Sequence, residues 1–72
     1  MRGVGPITPK EMEVLSQMAE LRTYKDISVN LGISIRTLYD HIYSIMLKTG
    51  TNRKEEVIKY AQEHGYGSKV SA

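Results

Sequence analysis

The stretch between Thr23 and Gly50 constrains this chain most: a short helical pattern, the turn Gly32-Ile33-Ser34, then a longer helical pattern. Thr23 offers a hydroxyl to the open N–H groups of a first turn, and Asp26 adds a favourable negative charge there. Ile27 and Leu31 supply one apolar face. Gly32 can adopt the left-handed backbone that ends a helix. These signals predict a helix of two turns, Tyr24 to Leu31. Ser34 caps the next helix and Gly50 stops it. Leu38, Ile42, Ile45 and Thr49 recur at helical spacing along one stripe, with His41 and Met46 at its edges. Arg36, Asp40, Tyr43, Ser44 and Leu47 fall on the opposite face, flanked by Tyr39. Two helices joined by so tight a turn have the helix-turn-helix layout. In that layout the first helix braces against a DNA backbone and the second enters the major groove.

The flanking segments also read as helices. Thr8-Pro9-Lys10-Glu11 combines an N-cap threonine, a proline at the first helical position and a glutamate placed for a capping box. Ile7 and Met12 have the spacing of a hydrophobic staple. Met12, Leu15, Met18 and Ala19, with Val14 beside them, mark one apolar face, so a first helix is expected from about Pro9 to Glu20. Asn52 is the expected cap of a last helix that carries Glu55 and Glu56 early, buries Val57, Ile58 and Ala61, and closes at His64-Gly65. The expected fold is therefore all-α, a four-helix helix-turn-helix domain over residues 7–65, with a flexible leader (1–6) and a flexible tail (66–72). Its core should contain Val14, Leu15 and Met18, then Ile27, Leu31, Leu38 and Ile45, and finally Val57, Ile58 and Ala61.

Composition narrows the function. A chain of 72 residues holds one small domain, and no cysteine is present to staple it or to bind metal as thiolate. Two histidines, His41 and His64, are too few for a zinc site without carboxylates. No apolar run approaches the ~18 residues of a membrane span. The start Met1-Arg2-Gly3-Val4-Gly5-Pro6 lacks an apolar signal core. A cytoplasmic protein is the expectation. No paired acid and base, activated nucleophile or phosphate-cradling glycine loop stands out, so no enzyme, cofactor or metal is expected. A net charge of +2 permits nucleic-acid binding without arguing for it.

Several separated clusters carry a family resemblance. Ile7-Thr8-Pro9-Lys10-Glu11-Met12-Glu13-Val14-Leu15 resembles the opening of the LuxR/GerE-type helix-turn-helix domain. Lys25-Asp26-Ile27, Leu31-Gly32-Ile33-Ser34, Thr37-Leu38, His41, Ile45, Lys48 and Gly50 continue it in register, and Arg53 to Ala61, with Glu56-Val57-Ile58, resembles the closing helix. The resemblance covers about Ile7 to Gly65. It implies a four-helix domain that binds DNA as a dimer and controls transcription, and the short form is similar to the stand-alone GerE type. This chain departs from the pattern at several positions. Tyr39 stands where the family usually has lysine, Leu21 replaces the glycine ending helix 1, Ser28 replaces a small alanine, and Thr49 and Thr51 replace apolar residues around Gly50.

The resemblance places Tyr39, Asp40 and Tyr43 where family members touch bases. Lys25 is a candidate phosphate contact at the start of helix 2. Arg36 and Lys48, flanking helix 3, are candidate phosphate clamps at its two ends, and Arg36 has the fork to reach a guanine. Thr37 has a hydroxyl for a phosphate or for the helix's own first turn. Tyrosines suit both DNA and protein contact. Asp40 repels phosphates yet can accept from cytosine N4. His41 is expected to be structural and His64 to act as a helix C-terminal cap. Tyr60, on helix 4, is the candidate contact of a homodimer. A second reading keeps the scaffold and uses Tyr39, Asp40, Tyr43 and Leu47 to hold a protein partner, RNA polymerase or another regulator.

Overall fold

The computed structural model describes residues 5–67. The outer parts of the expected leader and tail, residues 1–4 and 68–72, lie outside the described residues. Four helices follow in order: α1 (Pro9–Ala19), α2 (Tyr24–Leu31), α3 (Ile35–Thr49) and α4 (Lys54–Glu63), and no strand is present among the described residues.

Local hydrogen bonds set the helix starts. The Thr8 hydroxyl accepts the Glu11 N–H, and the Glu11 carboxylate accepts the Thr8 N–H, so both halves of the capping box are made. Thr23 accepts from the Asp26 N–H and Ser34 from the Thr37 N–H. Gly32 and Gly50 end α2 and α3 in left-handed conformations, at φ +68° and +76°, which glycine adopts without the strain an L side chain brings. The Gly32 turn sends α3 off in a new direction only three residues after α2 ends.

α4 starts differently from the sequence expectation. Its N-cap position is Arg53, which makes no side-chain cap. Asn52 instead donates its backbone N–H to Glu56 Oε1 at 3.0 Å. The acidic side chain reaches back to tie down the chain just before the helix, and no side chain caps the first turn itself.

The core lies between α1, α3 and α4, closed on one side by α2. Val14, Leu15 and Met18 enter from α1, Ile27 from α2, Leu38, Ile42 and Ile45 from α3, and Val57 and Ala61 from α4. Leu31 and Ile58, expected at the centre, are half-buried at its margin, and Met12, expected on the apolar face of α1, is exposed. Ile7 packs against the core from before α1.

The packed region also runs past Gly65. Tyr66, expected to open the flexible tail, packs against the core and donates its N–H to the Ala61 carbonyl at 2.9 Å. Gly67 then passes so close to α1 that a Cβ would meet the Ser16 carbonyl at 2.7 Å and the Ala19 Cβ at 2.9 Å.

Candidate nucleic-acid interface

Successive residues of a helix are turned by about 100°, so α3 presents four sides. Leu38, Ile42 and Ile45 form the inner side, buried in the core. Arg36, Asp40, Tyr43 and Leu47 form the outer side, and all four are exposed, Tyr43 by 64% and Leu47 by 52%. The remaining residues divide between two flanks, one toward α1 and one toward α2, and the two flanks differ in chemistry.

The α1 flank is a polar lock. Glu11 is buried, and Ser44 Oγ donates to its Oε2 at 2.7 Å. Lys48 Nζ donates to its Oε1 at 2.7 Å and to the Pro6 carbonyl at 3.1 Å. Burial alone raises a carboxyl pKa. Here Lys48, the Thr8 N–H and the Ser44 hydroxyl outweigh it and hold Glu11 down at about 2, against an ordinary 4.5. The side chains of Lys48 and Glu11 are only 11% and 5% exposed. Lys48 therefore spends its charge inside the protein and does not offer a free ammonium at the end of α3. The sequence singled out Lys48 for its sign; its partner lies 37 residues away, where no local pattern reveals it.

The α2 flank is aromatic. The Tyr39 ring stands edge-on to the Tyr24 ring, with centroids 5.6 Å apart and planes at 75°. Tyr24 packs against the core, and Lys54 Nζ lies 4.6 Å from the centre of its ring. Burial pushes the Tyr24 hydroxyl up, with Tyr39 and Glu55 adding to the effect, so it stays a neutral phenol. The helical pattern puts Tyr39 beside the outer face, as found, but gives Tyr24 no role beyond opening a short helix. The only signal available was an aromatic at the first position of a short helix.

The other candidates fall around this surface. Lys25 is exposed at the start of α2. Thr37 accepts a hydrogen bond from the Ser34 hydroxyl at 3.0 Å, which leaves its own O–H as a donor. His41 is half-buried. Tyr60 lies apart from this group, half-buried on α4, with the His64 ring stacked on it at 3.9 Å. His64 is the C-cap residue of α4, and its Nδ1 lies 2.9 Å from the Tyr60 carbonyl. Among the described residues no three His, Cys, Asp or Glu side chains gather as a metal site, and no helix is long and apolar enough to cross a membrane.

This arrangement, a capped short helix, a left-handed glycine and a long helix with one open face, coincides with a family match. Residues 5–61 match GerE, described as bacterial regulatory proteins, luxR family. The chain belongs to this family. It is 35% identical over 68 residues to the transcriptional regulatory protein MctR of Rhizobium johnstonii, an alignment covering 94% of this chain and 32% of that protein. It is 39% identical over 57 residues to a probable transcriptional regulator, ycf29, of Cyanophora paradoxa, covering 79% of this chain and 27% of the relative. It is 33% identical over 58 residues to the response regulator Rre1 of Synechocystis, covering 81% and 25%. The chain thus spans about a third or less of the relatives it matches. No solved structure matches the chain.

Proposed function

We propose that this chain binds double-stranded DNA by laying the outer side of α3 in the major groove, and that it regulates transcription in this way. The observation that carries the reading is the open outer side of α3 in a domain of the luxR family. A helix fits the major groove, and each base pair displays a distinct pattern there. Tyr39, Asp40 and Tyr43 are the residues assigned to face the bases, and Arg36 is assigned to a phosphate, with a guanine as its second possible contact. Lys25 and Thr37 are assigned to phosphates, which fix the register of the helix. Lys48 is assigned to holding α3 in place, because its ammonium is already engaged by Glu11 and Pro6.

A homodimer through α4, with Tyr60 at the contact, would pair two such helices on one duplex. Support for this comes from the position of Tyr60 at the surface edge of the core, stiffened by the stacked His64. The family is described as bacterial regulatory proteins, and a regulator that meets chromosomal DNA in a bacterial cell works in the cytoplasm, which is where we place this one.

The test is selection of binding sites from a pool of random duplex DNA, followed by titration of salt. The reading expects a recovered consensus and a steep fall in affinity as salt rises, because neutralised phosphates release counterions. No retained duplex, together with binding of RNA polymerase or another regulator through Tyr39, Asp40, Tyr43 and Leu47, would replace it with the protein-partner reading.

A further inference from the structure

Tyr39 is 52% exposed, on the side of α3 that faces outward and toward α2. A half-exposed side chain on a helix ordinarily samples several rotamers. Here its ring makes a T-shaped contact with Tyr24, and Tyr24 is itself fixed, because it packs on the core and carries the Lys54 ammonium over its ring. Tyr39 is thus held from behind while much of its ring stays open. In the major groove the one apolar group that a base pair displays is the 5-methyl of thymine. A ring set rigidly on the groove-facing helix is suited to cover that methyl, with little rotamer entropy left to lose on binding.

We infer that Tyr39 reads thymine through its ring and that Tyr24, which touches no DNA in this account, is the positioning residue that aims it. The inference rests on the groove reading of α3 given above. It adds one base, one chemical group and a residue of α2 that acts through another side chain.

The experiment uses the full chain and the duplex recovered by selection, with each thymine in turn replaced by uracil, which removes only the methyl group. The native chain should lose roughly three- to fivefold in affinity at one or more thymines, about the worth of one buried methyl group. Tyr39→Ala should bind more weakly and be indifferent to the replacement. Tyr39→Phe should keep the full sensitivity, since the ring does the reading. Tyr24→Phe preserves the edge-to-face contact and should also keep it. Tyr24→Leu should lose most of the sensitivity while its circular dichroism remains helical. Tyr39→Ala changes a half-exposed residue and stays folded, so it decides the matter even if Tyr24→Leu unfolds. The inference fails if no thymine is sensitive in the native chain, if Tyr39→Ala keeps the sensitivity, or if a folded Tyr24→Leu does. Loss of binding in Tyr39→Phe irrespective of the methyl would assign Tyr39 to a phosphate through its hydroxyl and overturn the thymine reading. These results differ from failure of the groove reading, in which the native chain retains no duplex at all.

Discussion

The two flanks of α3 are held by different chemistry. Toward α1, Ser44 and Lys48 close on the buried Glu11 carboxylate at 2.7 Å each. Toward α2, Tyr39 leans on Tyr24 through an edge-to-face contact that stays partly in solvent. The first contact exchanges the hydration of two charges for short charge-assisted bonds, so losing one partner strands the other inside the protein. An aromatic pair of the second kind contributes only about 0.5–1.5 kcal/mol beyond its area. The strong polar contact and the weaker aromatic one therefore sit on opposite flanks of one helix, where they can be altered separately.

The largest effect expected from breaking this contrast is at Lys48. Lys48→Met leaves Glu11 buried without its cation and should cost roughly 3–5 kcal/mol, read as a shift in the urea midpoint. Replacing both partners with apolar residues of similar size, Glu11→Leu with Lys48→Met, should recover much of that loss. Ile45→Ala, on the fully buried inner side, should cost a comparable 2–5 kcal/mol by opening a cavity.

Acid tests the same lock without mutation. Glu11 has a pKa of about 2 in the fold and 4.5 when free, so it is depressed by folding. Its contribution is fully present above pH 4.5 and is lost as pH falls from there toward 2, up to roughly 3 kcal/mol. Stability measured across that window should fall with acid in the native chain and fall less in Glu11→Gln. Equal slopes in the two proteins would mean that the carboxylate is not the acid-sensitive group.

The two lysines sharpen the comparison further. Lys25→Ala should leave the melting temperature within about 2–4 °C, since exposed substitutions change stability by no more than ~0.5 kcal/mol. It should flatten the slope of log affinity against log salt by roughly one unit. Lys48→Met should instead act through stability. The smallest stability effect is expected at Asp40, exposed on the outer side: Asp40→Ala should melt within ~0.5 kcal/mol of the native chain. Removing its charge should nonetheless raise affinity for arbitrary duplex in low salt, and should cost roughly 1–3 kcal/mol of discrimination if Asp40 accepts from a cytosine. An Asp40→Ala variant whose DNA binding is unchanged on every sequence would take the outer side of α3 out of the groove.

What was legible in the sequence follows the range of each interaction. Thr8, Thr23 and Ser34 cap their helices as their types and spacings suggest, because a cap is made within three residues. Gly32 and Gly50 end helices for a similarly local reason. The buried faces followed the helical period, with Leu31 and Ile58 displaced to the margin where the small core runs out. Contacts between residues far apart in the chain were the least legible. Glu11 forms its half of the capping box as its spacing suggests, but its second role depends on Ser44 and Lys48. Tyr24 meets Tyr39 only after the turn at Gly32 has set the angle between α2 and α3. Tyr66 packs on the core just before Gly67 passes close to α1, and no periodicity encodes either contact.

Which side of α3 meets DNA can be read residue by residue. Backbone amide shifts of the isotope-labelled chain, titrated with a duplex recovered by selection, measure this. The largest changes are expected at Arg36, Tyr39, Asp40 and Tyr43, with Lys25 and Thr37 following and the region around Tyr60 affected least. Changes concentrated elsewhere, with the outer side of α3 unmoved at saturation, would contradict the groove reading of α3.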